Sequence, residues 1–377
     1  MSGENRTRRS IRSDSSTFMD FAGLVPKISK NVSCSSVSAS SGLVRTEFQE
    51  RPEKSLTQDP QNAGLPCFRA RCALQGFSER AIDIMCASWT KGSTNQYQYY
   101  LKRWFNFCFR EEINPVSAAS KEVLQFLTFL FDNGEGYSAI NTARSALSTI
   151  IEDTHGVPIG RATAVRRFMK GVFKLRPTLP RYNYIWDVNI VLDYLKFFYP
   201  NEDLPLSHLT LKLTMLLALT TAQRVQTLKV LNISDFQIYG DLVIIPIKEI
   251  LKQMTASNNK LTLKLKVFEE EPSLCVVKCL KCYLDRTKGL RSSGNLLISY
   301  LKPYKAVSKQ TISRWIKKVM YEAGIDTNVF KSHSTRAAAC SKLKNDSVPV
   351  EEILKTAGWS NDNCFRKFYD KPIMISC

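Results

Sequence analysis

From Phe77 onward, apolar side chains recur at helical spacing. Ser78 is placed to cap a helix that turns Ala81, Ile82 and Met85 inward. A second stripe joins Tyr97, Tyr100, Leu101, Trp104, Phe105 and Cys108. The run KEVLQFLTFLF puts Val123, Leu124, Leu127 and Leu130 on one face. Ile140, Leu147, Ile150 and Ile151 mark a fourth helix, and Val165, Phe168, Met169, Val172 and Phe173 a fifth. Such stripes are buried by packing helices together, so residues 77–178 are predicted to form an all-helical domain. Aromatics such as Trp104 and Phe126 are read as core.

The pattern then breaks. KLRPTLPRYNY, Lys174–Tyr184, holds two prolines and reads as an extended linker. Beyond it, from residue 184 to 377, the periods mix. Helices are predicted near Asn189–Phe198 and Ser207–Leu219, and a strand at Leu242–Ile247. In KLTLKLKVF, Leu261, Leu263, Leu265 and Val267 face one way and Lys260, Lys264 and Lys266 the other, which is a half-buried strand. The segment between the two strands closes a hairpin. Helices recur near Cys275–Arg286 and Ser308–Ala323. Residues 1–75 are rich in Ser, without apolar period, and read as a disordered tail. The expected fold is therefore mainly α with a small β-hairpin or sheet: a tail, a helical domain and a mixed α+β domain.

Charge narrows the partner. The chain has 377 residues, 44% hydrophobic, with 53 Lys and Arg against 34 Asp and Glu, a net charge of +19. That excess favours a polyanion. Lys91, Lys102, Arg103, Arg144, Arg161, Arg166, Arg167 and Lys170 are candidate phosphate contacts in the helical domain. Arg6–Arg12 reads as a phosphate-gripping arm, a weak nuclear-import signal or a solvated basic tail. No apolar run approaches the ~20 residues of a membrane span, and no N-terminal secretory segment is seen. The 11 cysteines show no paired framework, which suits a reducing cytosol or nucleus. Cys275, Cys279 and Cys282 fall on one helical stripe and read as buried thiols rather than metal ligands.

The chemistry concentrates between Lys331 and Tyr369. His333 and Arg336 share one helical face, and Ala337–Ala339 favours helix. With Ser332 or Ser334 as cap, both groups sit at the positive end of a helix, where phosphate binds well. Pro349 lies at the start of a second helix with Ile353 and Leu354 as its apolar face, and Gly358 closes it in the left-handed conformation. Ser360 is placed to cap a third, short helix carrying Phe365, Phe368 and Tyr369, and Pro372 stops it.

His-x-x-Arg, then Gly-Trp, then a Tyr ten residues on resembles the C-terminal half of the tyrosine recombinase active site. The resemblance covers roughly residues 77–377, and its local wording is similar to the recombinases of DIRS/Ngaro-type retroelements and Crypton-like transposons. It implies an upstream Arg between a buried helix and the hairpin, which Arg224 in TMLLALTTAQRVQTLKVLNISDF supplies. It implies a hairpin Lys that protonates the departing 5′ oxygen. Lys252 is chosen, with Lys248 and Lys260 as rivals because hairpin register is not set by sequence. Arg224 and Arg336 hold the non-bridging oxygens, His333 shares the Tyr proton or bonds the phosphate, and Trp359 donates its indole N–H. Tyr369 forms the 3′-phosphotyrosyl link.

The helical domain is then a core-binding domain that clasps DNA opposite the catalytic domain. The resemblance further implies double-stranded DNA as partner, a homo-tetramer on DNA, nuclear action on a mobile element, and no metal or small-molecule cofactor. Type IB topoisomerase-like nicking-closing, or DNA binding without catalysis, are the other readings open at this point. DKPIMISC after the Tyr does not predict the long helix by which several family members dock into a neighbour, so either coupling between subunits uses another surface or the natural C-terminus is missing.

Overall fold

The computed structural model describes residues 16–18, 64–152, 156–180, 182–251, 254, 261–359 and 362–374. They form two compact units, one of residues 64–180 and one of residues 182–374 together with 16–18.

The first unit consists of helices α1 (Gly64–Leu74), α2 (Glu79–Cys86), α3 (Lys91–Arg110), α4 (Ser120–Asp132), α5 (Tyr137–Leu147) and α6 (Thr163–Leu175). Hydroxyls start two of them: Ser78 accepts from Ala81 N–H and Thr90 from Ser93 N–H. The apolar stripes become the core. Trp104, Phe126, Leu127, Leu130, Ile140 and Val165 are fully buried. The Trp104 ring meets Phe126 edge-on at 5.2 Å and its Nε1 donates to the Pro115 carbonyl at 2.9 Å, the partner a buried indole needs. Phe173 differs from its predicted inward place. It is half exposed on the last turns of α6 and lays its edge on Tyr137 at 5.4 Å.

Two parts of the predicted tail are structured. Residues 64–74 are α1, whose apolar residues form no one-sided stripe for a periodicity argument to detect. Phe68 lies 4.8 Å from the Trp89 ring and Cys72 is buried, and polar pairing adds to these contacts. Arg69 reaches Glu79 and Asp83, and Arg71 pairs with Glu152 and donates to the Thr149 carbonyl at 2.9 Å. Ser16–Phe18 forms strand β1, described below. The remainder of residues 1–63, including Arg6–Arg12, lies outside the described residues.

The second unit contains β2 (Ile185–Trp186), α7 (Val188–Lys196), α8 (Leu206–Thr221), α9 (Val225–Val230), β3 (Gln237–Tyr239), β4 (Leu242–Ile247), β5 (Leu261–Lys266), α10 (Val276–Thr287), α11 (Lys309–Glu322), α12 (Ser334–Asn345), α13 (Val350–Ala357), α14 (Asp362–Phe368) and β6 (Ile373–Met374). From Leu209 to Thr221, α8 is buried on every side, its leucines packing in the core and its buried Thr210, Lys212, Thr214 and Thr221 finding hydrogen-bond partners. Around it pack α10, α11 and α12. The hairpin strands β4 and β5 pair antiparallel with Ile245 opposite Leu263, burying Val243, Ile245, Leu263 and Leu265 on one face. β3 adds antiparallel to β4, and β1 adds parallel to β5 with Ser16 opposite Thr262. An open sheet edge offers unpaired N–H and C=O groups to any such strand. A second, two-stranded sheet pairs β2 with β6 in parallel. Cys275 and Cys279 are buried in the α10 region, Cys282 is half-buried, and burial pushes the Cys279 thiol up to about 12.

The Trp104 packing yields a stability prediction. Trp104→Ala should cost about 3–5 kcal/mol in urea unfolding, the range for deleting a buried aromatic. Trp104→Phe, which keeps a ring but leaves the Pro115 carbonyl without its donor, should cost less. An Ala variant no less stable than wild type would contradict this assignment of the core.

Candidate active site

The site is built where α8 and α13 end and α12 begins. α8 closes at Ala222, whose backbone is left-handed at φ 48°, ψ 25°. In a residue with a Cβ this conformation costs roughly 1–2 kcal/mol, so its surroundings must hold it. The Ala222 carbonyl accepts from Arg336 Nη1 at 2.6 Å. The same reversal puts Arg224, half-buried, at the N-cap position of α9. Between them Gln223 is buried. Its side-chain amide donates to the Thr356 carbonyl at 2.7 Å and its Oε1 accepts from the Thr227 hydroxyl at 3.3 Å. The segment carrying Arg224 is thus tied to the end of α13.

Helix α12 is buried from Ser334 to Leu343. Neither serine caps it, contrary to the sequence reading. His333 itself occupies the N-cap position with helical φ and ψ and makes no cap bond. Ser334 N–H instead donates to the Lys331 carbonyl at 2.8 Å, and the Ser334 hydroxyl accepts from Trp186 Nε1 at 2.9 Å. One turn on, Arg336 is 1% exposed. Its Nη2 donates to the Ala357 carbonyl, the last of α13, at 2.8 Å. Two neutral carbonyls from different helices therefore fix the plane of this guanidinium.

Gly358 closes α13 at φ 72°, ψ 41°, and Trp359 N–H donates back to the Leu354 carbonyl at 2.9 Å. This turn lays the Trp359 ring 4.0 Å from the centre of the Arg336 guanidinium, a close cation–π contact. Trp359 Nε1 is buried and finds no acceptor among the described residues. Such a donor costs free energy unless something accepts from it. Ser360, the predicted cap of the next helix, lies outside the described residues. At the end of α14, Tyr369 and Asp370 N–H both donate to the Phe365 carbonyl, which turns the chain just after the helix. The Tyr369 hydroxyl lies 3.0 Å from His333 Nε2, and its ring lies 4.7 Å from Trp359 and 5.5 Å from the Arg336 guanidinium.

His333, Arg336, Trp359 and Tyr369 thus meet directly. Arg224 acts on the same group electrostatically. Burial pushes the His333 pKa below the ordinary 6.5, and the charges of Arg336 and Arg224 push it further the same way. A neutral imidazole beside a phenol can accept its proton. Lys252 and Lys260 lie outside the described residues. Lys248, the third hairpin lysine considered, is exposed and pairs with Asp235. Sequence reasoning did not single out Ala222, Gln223 or Ala357. Gln223, a polar side chain among buried neighbours, carries a readable signal, whereas the two carbonyls leave none.

Residues 201–372 match the Phage integrase family. Similar solved structures include XerH site-specific recombinase bound to difH substrate in a pre-cleavage complex, at 12% identity and TM-score 0.54, covering 85% of this chain and 95% of that one. Another is the Tn1549 transposon integrase in complex with transposon right end DNA, at 14% identity and TM-score 0.52, covering 81% and 94%. No curated protein matches the chain. These likenesses concern the fold, and the family match spans the positions of Arg224, His333, Arg336, Trp359 and Tyr369. Residues 201–372 are a domain of the phage integrase, or tyrosine recombinase, family of enzymes.

Proposed function

We propose that this chain cuts and rejoins double-stranded DNA through a 3′-phosphotyrosyl intermediate, in site-specific recombination of a mobile element. The contact of the Tyr369 hydroxyl with His333 Nε2 at 3.0 Å carries this reading. A phenol is a poor nucleophile until a base takes its proton, and a neutral imidazole in hydrogen-bond reach is such a base. In the proposed step the Tyr369 oxygen bonds to phosphorus, its proton passes to His333, and the 5′ oxygen departs. Arg224 and Arg336 hold the negative charge that grows on the non-bridging oxygens, the largest contribution in such sites. Trp359 Nε1 donates to one of those oxygens. A hairpin lysine, Lys252 by first choice with Lys248 and Lys260 as rivals, protonates the leaving oxygen.

Both groups of the Tyr369–His333 pair belong to one chain, which supports attack in cis. The net charge of +19 supports duplex DNA as partner. The helical unit is assigned the role of gripping the duplex, and the assembly that exchanges strands is assigned four copies in a nucleus.

The test uses a randomised library of nicked duplexes that trap a covalent adduct. Wild type should form the adduct on Tyr369. Tyr369→Phe should lose it while binding DNA as before, because only a hydroxyl is removed. Arg224→Ala should also bind but cut slower by roughly 100-fold or more, the loss typical of one transition-state donor. Arg336→Ala is a poorer probe, since a buried guanidinium bonded to two carbonyls also holds the fold, and unfolding should accompany its loss. An adduct mapped to another residue would overturn the mechanism.

The lowered His333 pKa sets a pH dependence. Adduct formation should rise with pH through a midpoint below 6.5 and stay flat above it, because the base must be neutral. The unfolded chain binds the proton at higher pH than the folded one, so this group removes stability as pH falls below 6.5. His333→Gln should lose the acid limb, and an unchanged limb would show that another group controls it.

A further inference from the structure

Helix α12 touches Tyr369 twice. At its start His333 meets the hydroxyl. Two turns on, Ser341, 4% exposed, donates from Oγ to the Tyr369 carbonyl at 2.7 Å. The same oxygen accepts from Lys371 N–H at 3.2 Å. One buried hydroxyl therefore grips the backbone on both sides of the Tyr369–Asp370–Lys371 turn. The grip is extended further along. Lys344 pairs with Asp370 at 2.5 Å, Lys371 Nζ donates to the Tyr182 carbonyl at 3.0 Å, and Ile185 N–H donates to the Pro372 carbonyl at 2.9 Å, leading into the β2–β6 pair. Nothing in the proposed chemistry uses Ser341, yet its buried side chain bonds the backbone of the attacking residue.

We propose that Ser341 is a positioning residue for Tyr369, fixing the nucleophile's backbone on the helix that carries its base. The proposal rests on Tyr369 being the nucleophile. Without Ser341 the carbonyl and the Lys371 N–H lose their shared partner, and the phenol is freed to leave His333. Arg336 is held by the Ala222 and Ala357 carbonyls and Arg224 by the reversal after α8, so the phosphate-binding groups stay in place. A displacement of about 1 Å at an attacking atom lowers rate by up to roughly 100-fold without touching affinity.

The experiment separates the nucleophile from the pocket. On the trapped-adduct library, Ser341→Ala should form adduct 10- to 100-fold more slowly, by the same estimate, with DNA affinity unchanged. Ser341→Cys, which keeps the volume and a weak donor, should fall between it and wild type. In a Tyr369→Phe background, hydrogen peroxide is supplied as the nucleophile. Its oxygen bonds to phosphorus, its proton is lost to the site and the 5′ hydroxyl leaves. Ser341→Ala should not slow this peroxide cleavage. Slowing of both reactions would show that Ser341 shapes the pocket itself, and slowing of neither would show that it does nothing for Tyr369. Either result overturns the proposal. If wild type forms no adduct and peroxide yields no cleavage, the functional reading itself has failed, a result distinct from both.

Discussion

The second unit depends on one side chain placed between two carbonyls. Arg336 donates to Ala222 at the end of α8 and to Ala357 at the end of α13, residues 114 and 21 positions away. Burying a cation is costly unless its donors are satisfied. Helix ends leave carbonyls without intrahelical partners, and here two of them accept from Nη1 and Nη2. The left-handed Ala222, the left-handed Gly358 and the Trp359 ring over the guanidinium all follow from the same arrangement. A charge that would destabilise a core elsewhere becomes the point at which distant segments are joined.

From this point α12 organises the rest. Its first turn carries His333 and Arg336, and its middle carries Ser341. Tyr369 arrives from α14 and is bonded at its hydroxyl and at its carbonyl by this one helix. Arg224 is brought in by the reversal at Ala222 and tied to α13 through Gln223. The site is therefore held by rigid helix ends, the kind of support that keeps reacting atoms within attack distance. After Tyr369, Ile373 and Met374 pair in parallel with β2, a use of that segment which Pro372 did not suggest.

Much of this was legible along the chain because it depends on local rules. Helical stripes located helices α2 to α6 of the first unit, and strict alternation located β5 with Leu261, Leu263 and Leu265 inward. Gly358 announced the end of α13 through its freedom at positive φ. What stayed hidden depends on pairing between distant segments. α1 has no apolar stripe and is held by ion pairs together with single contacts such as Phe68 on Trp89, so its residues resemble a polar tail. Ser332 and Ser334 have the composition of caps, but His333 takes the N-cap position and Trp186, 148 residues away, takes the Ser334 hydroxyl. The Arg336 acceptors are backbone carbonyls, which every residue has and no motif marks.

The central claim is that one chain assembles base, arginines and nucleophile on its own helices. Mixing two inactive variants tests it most directly. Tyr369→Phe keeps the pocket without the nucleophile, and Arg224→Ala keeps the nucleophile without a complete pocket. If attack is in cis, the mixture should form no more covalent adduct on nicked duplexes than either variant alone. Adduct restored in the mixture, on the tyrosine of the Arg224→Ala chain, would mean that Tyr369 serves a neighbour's pocket and would contradict the account.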